Sequence, residues 1–247
     1  MRRFHVAGVS VLAAFLALAA APTNADASAC TTTNLASLMG TSCSIGSLQF
    51  SFAGFGSGNY SENLQTSTYT YGTATIAGDF TFTPGTDGFT LTFNGSPQSI
   101  SGGTNIEAWD FAYLEYTVTD PYGNIVGESV AGGALSATGT NSSEALYEGY
   151  TYNGSSLADG LTEVQDSSGA ITNTNLQNQL SGTAFSSGTG YAYPFYLYAE
   201  GNASASWDGS ATTFTYLYTV PEPGTLLLLG MGLLGLVGVC RRNRQWT

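Results

Sequence analysis

Carboxylates are the only charged side chains between Ser28 and Val220, and they set what chemistry this chain can attempt. Seventeen Asp and Glu occur in 247 residues, and only Asp26 and Glu222 lie outside that interval. All five cationic residues, Arg2, Arg3, Arg241, Arg242 and Arg244, and the single histidine, His5, lie beyond it. A Ser/His/Asp or Cys/His nucleophile, a Schiff-base lysine and an imidazole zinc site are therefore excluded there. Paired carboxylates remain. Glycoside hydrolysis needs two acids about 5 to 9.5 Å apart, and Glu107 with Asp110, or with Glu115, are the candidate pairs. Among fifteen acids some pair falls close by chance, so solvated charge is the plainer reading and no catalytic residue is assigned.

Calcium suits carboxylates and loop carbonyls, but no D-x-[DN]-x-[DN]-G loop is present. Asp120 to Asn124 reads as a turn, and neither a metal nor another cofactor is assigned. Nucleic acid is excluded as a partner, because Lys and Arg supply most of the phosphate affinity. Trp109, Trp207 and the fifteen tyrosines offer rings that can stack on sugars. Aromatic residues at alternating strand positions are more often core or cross-strand partners.

The positions around these residues alternate with period two. Leu48, Phe50 and Phe52 are interleaved with Gln49 and Ser51, and Phe89, Leu91 and Phe93 with Thr90 and Thr92. Ala112, Leu114, Tyr116 and Val118 take every second place, as do Phe214, Tyr216, Tyr218 and Val220. Such patterns predict half-buried strands. Breakers at Thr86-Asp87-Gly88, Asn94-Gly95, Asp120-Pro121-Tyr122-Gly123, Asn153-Gly154 and Asp208-Gly209 separate them. Thr33 to Gly40 has room for one or two helical turns, and Gly169 to Gly190 reads as a long loop or an irregular strand pair. The expected fold is all-β, an antiparallel sandwich or jelly-roll over residues 28–220.

The two ends carry a different signal. Arg2 and Arg3, an apolar run from Val6 to Ala21 and the triplet Ala25-Asp26-Ala27 describe a signal peptide over residues 1–27. Export permits a disulfide between Cys30 and Cys43, a local staple of about 2 to 3 kcal/mol. At the other end, over residues 221–247, Pro221-Glu222-Pro223 precedes an apolar stretch from Gly224 to Cys240 and then Arg241, Arg242 and Arg244. As a single transmembrane helix that stretch would measure about 25 Å at about 1.5 Å per residue, short for a bilayer. The arginines would hold the tail in the cytoplasm.

This ending resembles the PEP-CTERM sorting signal. The resemblance implies recognition of Pro221, Glu222 and Pro223 by exosortase, a membrane cysteine transpeptidase of Gram-negative bacteria that make exopolysaccharide. Cys30 to Phe52 loosely resembles the opening of other exported domains with this signal, which confers no function. The partners expected are signal peptidase, exosortase, the membrane through residues 224–240 before processing, and extracellular polysaccharide. The reading that follows is a surface or matrix protein without catalysis of its own. A carbohydrate-binding module and a carboxylate-based glycoside hydrolase are the alternatives. Exposed aromatics on one sheet face would mark the first, and two carboxylates facing each other across a cleft the second.

Overall fold

The computed structural model describes residues 28–123, 125–167, 170–181 and 184–218. In chain order the strands are β1 Thr33–Asn34, β2 Ser42–Ile45, β3 Leu48–Asn63, β4 Thr68–Tyr71, β5 Phe80–Pro84 and β6 Gly88–Phe93. They continue with β7 Gln98–Ser101, β8 Ile106–Thr119, β9 Ile125–Ala131, β10 Leu135–Thr138 and β11 Ser143–Tyr152. The remaining strands are β12 Leu157–Ser167, β13 Ala170–Ser181, β14 Ser187–Glu200, β15 Ser204–Trp207 and β16 Thr212–Tyr218. Helix is confined to two 3₁₀ turns among the described residues, Leu35–Leu38 and Ala77–Asp79. In the first of these Asn34 Oδ1 accepts the Ala36 N–H at 2.9 Å, and Leu35 and Leu38 are buried.

The paired strands are antiparallel and form three sheets. The large sheet runs β13-β12-β11-β14-β8-β3-β2, with β4 paired to the far half of β3. The second runs β1-β5-β6-β16-β9, and the third β10-β15-β7. Alternation explains how the first two become a sandwich. The inward residues of β3, Phe50 and Phe52, meet Phe89, Tyr216 and Phe82 of the second sheet at ring-centroid distances of 5.8, 5.7 and 5.3 Å. All five rings are essentially excluded from solvent, and each contributes about 1.5 to 3 kcal/mol through burial. The third sheet is fastened to both through Trp207, which stacks on Phe195 of β14 at 4.8 Å and lies 5.6 Å from Phe93 of β6.

Cys30 and Cys43 are joined in a disulfide with their Cα atoms 4.9 Å apart. The bond ties the entering chain to β2, where the Cys30 N–H also donates to the Ser44 carbonyl at 2.9 Å. Asp120 to Gly123 forms the expected turn, with Asp120 Oδ1 accepting the Tyr122 N–H at 2.9 Å and Gly123 at φ +74°. Asn124 lies outside the described residues. The stretch from Gly169 to Gly190, left open between loop and strand pair, supplies β13 and the start of β14. The predicted signal peptide and the tail with its membrane helix also lie outside the described residues. Among the described residues no helix is long and apolar enough to cross a membrane.

One carboxylate sits in the middle of the sandwich. Glu128 of β9 is fully buried, and the hydroxyls of Tyr116 and Thr151 donate to its Oε1 and Oε2 at 3.3 and 3.1 Å. The Tyr216 hydroxyl completes the group, 2.5 Å from that of Tyr116 and 2.6 Å from that of Thr151. Space for the carboxylate comes from Gly149 of β11, where a Cβ would lie 2.5 Å from Glu128 Oε1. Burial raises the Glu128 pKa well above the ordinary carboxylate range, against the Thr151 and Tyr116 hydrogen bonds, and the charge of Asp159 adds to the rise.

A raised folded-state pKa contributes stability that is present below the unfolded value, about 4.3, and is lost as pH rises toward the folded value. Glu128→Gln removes that dependence while keeping the shape. Thermal melts should show the variant more stable than wild type at pH 7.5, with the two converging toward pH 4 and the difference growing by up to about 1.4 kcal/mol per pH unit. A variant no more stable at pH 7.5 would show that Glu128 is not held as a buried acid.

Candidate functional site

The parity that sends Ala108, Asp110, Ala112, Leu114 and Tyr116 of β8 inward sends Glu107, Trp109, Phe111, Tyr113 and Glu115 to the opposite face of the large sheet. Register then lines up residues from strands far apart in sequence. Tyr60 of β3, Trp109 of β8 and Tyr198 of β14 stand directly opposite one another, with centroids 5.0 and 5.4 Å apart. Tyr71 and Tyr69 of β4 extend this row, at 6.2 Å from Tyr60 and 6.4 Å from each other. They are 75% and 51% exposed, so this end is open to a partner.

A second row pairs Phe111 with Tyr196 at 6.0 Å, and a third joins Tyr113, Tyr193, Tyr150 and Tyr191 at centroid separations of 5.1 to 6.3 Å. Glycines of β3 make room for these rings. A Cβ on Gly58 would lie 2.7 Å from the Phe111 ring, and one on Gly56 would run into Tyr113. The Gly54, Gly56, Gly58 spacing is the signal in the sequence for this bare strip on one strand face.

Carboxylates border the aromatic rows. Glu62, Glu107 and Glu200 are direct cross-strand neighbours on β3, β8 and β14, and Glu144 of β11 stands opposite Tyr198. Burial raises the Glu107 pKa, with the charges of Glu200 and Glu62 adding to it. Tyr198, whose hydroxyl donates to Glu200 Oε2 at 3.4 Å, is pushed up to about 12 by burial and by Glu107 and Glu200. Burial, followed by the charge of Glu163, raises Glu144 to about 7, and burial with Asp159 and Glu163 raises Glu148 to about 7. Among the described residues no group of three or more His, Cys, Asp or Glu side chains is placed to hold a metal ion.

The candidate catalytic pairs are not brought together. Glu107 and Asp110 emerge on opposite faces of β8. Asp110 is 1% exposed, its Oδ1 has no hydrogen-bond partner, and burial holds its pKa up at about 7 against a hydrogen bond with Asn59. Glu107 and Glu115 share a face, but eight residues of strand separate them by roughly 26 Å, well beyond the reach of one glycosidic bond. Of the two tryptophans named for sugar stacking, Trp109 is on the open face, whereas Trp207 is 1% exposed in the core. Trp207 therefore serves packing, because its strand turns that side toward Phe195 and Phe93.

Fold and face together define an antiparallel all-β protein with a ring-lined, acid-bordered sheet surface. Residues 219–242 match the family model described as the PEP-CTERM protein-sorting motif. The chain is thus a protein bearing the PEP-CTERM sorting motif, exported, sorted by exosortase and transiently anchored in the membrane through its C-terminal region. The match spans Pro221, Glu222, Pro223, Arg241 and Arg242 and stops short of Arg244. No curated protein matches the chain.

Proline fixes φ near −65° and lacks an N–H, and recognition of Pro221, Glu222 and Pro223 is the role that the resemblance to the sorting signal implies. Alanine at all three positions should leave full-length precursor in the host membrane fraction, detected by immunoblot. Trimming and delivery at the wild-type level would contradict this role.

Proposed function

We propose that this chain is a non-catalytic surface or matrix protein that holds extracellular polysaccharide on the open face of its large sheet. The observation that carries the reading is the Tyr60–Trp109–Tyr198 row, continued by Tyr71 and Tyr69. Rings presented side by side on an exposed sheet offer apolar faces to the C–H faces of sugars, and the flanking Tyr hydroxyls and carboxylates offer hydrogen bonds. Exosortase processing would place this face outside the inner membrane of a Gram-negative cell, where exopolysaccharide is at hand.

In this reading the acids serve binding. Glu62, Glu107 and Glu200 project from neighbouring strands of one face, where directly opposite Cβ atoms are about 4.5 to 5.5 Å apart. A hydrolase would need two such acids to flank one glycosidic bond, one as acid and the other as nucleophile or base; the proposal assigns these three to ligand hydrogen bonds instead. Affinity electrophoresis through gels containing single polysaccharides tests the proposal. The wild-type protein should be retarded by at least one of them. Trp109→Ala should lose about tenfold in affinity, the effect of an aromatic contact worth about 1.4 kcal/mol. Retardation unchanged in Trp109→Ala, or release of reducing ends from the gel polysaccharide, would refute it.

A further inference from the structure

We infer that the glycan this face accepts is cationic, a polymer of amino sugars carrying free ammonium groups; the inference rests on the carbohydrate-binding reading above. The argument starts from what borders the rings. One step along each strand pair from Tyr60, Trp109 and Tyr198 lie Glu62, Glu107 and Glu200, three carboxylates in direct cross-strand register. Like charges placed directly opposite on a sheet destabilise it. No cation within residues 28–220 can relieve them. A partner that supplies positive charge at that row removes the repulsion when it binds.

A second observation lies further along the same face. Glu144, opposite Tyr198, is the neighbour of Glu163, and burial with their mutual repulsion raises the Glu144 pKa. Glu163 is 8% exposed and its Oε1 has no hydrogen-bond partner. A buried carboxylate oxygen without a donor costs free energy, and this end of the face, like the first, holds carboxylates with no side-chain cation to offset them.

Three classes of glycan can then be compared. An acidic polysaccharide meets a face of its own sign and is repelled. A neutral one stacks on the rings but leaves the carboxylates mutually repelling and partly stripped of water. An amino-sugar polymer stacks equally well through its C–H faces and adds ammonium groups. These form charge-assisted hydrogen bonds with carboxylates and are attracted to the faces of Trp and Tyr. Complementary charge of this kind sets specificity as well as association rate.

The test compares three hexasaccharides of one backbone geometry, the β-1,4-linked hexamers of glucosamine, N-acetylglucosamine and glucose. Calorimetry uses the full-length protein in nonionic detergent at about 0.01 M and about 0.3 M NaCl, since screening lengths differ severalfold between them. The glucosamine hexamer should bind at least tenfold more tightly than the other two at low salt, with the preference shrinking at high salt. Glu107→Gln should reduce the preference, and Trp109→Ala should weaken binding of all three.

Equal binding of the three hexamers would overturn the inference and leave the carbohydrate reading standing. Binding of none would reject the inference for this linkage and count against the carbohydrate reading as well. A lysine hexamer that binds as tightly as the glucosamine hexamer, or glucosamine binding unaffected by Trp109→Ala, would reduce the effect to general adsorption on an anionic protein and overturn the inference.

Discussion

No side-chain cation exists between Ser28 and Val220, so every carboxylate there must be met by solvent, by a hydroxyl or backbone donor, or by a proton. The described structure shows the last two in detail. Asp120 takes the Tyr122 N–H in a turn, Glu128 is enclosed by the hydroxyls of Tyr116 and Thr151, and Glu144 and Glu148 are shifted by burial toward neutrality. Salt bridges cannot form among these residues. Cross-strand contacts on both faces of the large sheet are instead largely aromatic, and such pairs stabilise neighbouring strands.

Strand β8 shows how one segment serves core and surface together. Its inward Tyr116 packs against Phe50 and Phe89 at 5.8 and 5.5 Å and carries its hydroxyl to Glu128. Its outward Trp109, Phe111 and Tyr113 join rings from β3 and β14 on the opposite side. The cost of such a face is exposed apolar area, and large exposed patches mark binding surfaces. The proposed glycan platform follows from the same economy of residue types: lacking cations, the domain would recognise a glycan through rings and acids.

Strand positions were legible because their signal is local. The alternation in Leu48-Phe50-Phe52 and Ala112-Leu114-Tyr116-Val118 predicted which side is buried, and these residues are buried. The same parity, carried along β8, places Trp109 and Tyr113 on its other side. What local pattern cannot reveal is register between distant strands, and that is what makes the face. Glu62, Glu107 and Glu200 become neighbours only through the β3–β8 and β8–β14 pairings. Register shifts at Phe52/Gly54 and Ala192/Phe195 also reset the parity. The burial of Asp110 and Glu128 was hidden for a different reason, since buried acids violate the rule by which acids are read as solvated. The sorting motif was readable from its linear order and is matched over residues 219–242.

Most proteins lose stability on acidification because native salt bridges are protonated. Here the sign should reverse. Asp110, Glu144 and Glu148 are each raised to about 7 and Glu128 well above the carboxylate range, so the folded state binds protons that the unfolded chain releases above about pH 4.3. The direct measurement is the unfolding free energy of the full-length protein in nonionic detergent, by urea titration at pH 5.5 and pH 8 and constant ionic strength. A higher stability at pH 5.5 is the predicted result. Equal stability at the two values, or a loss at pH 5.5, would contradict the claim that this fold is shaped by carboxylates without cations.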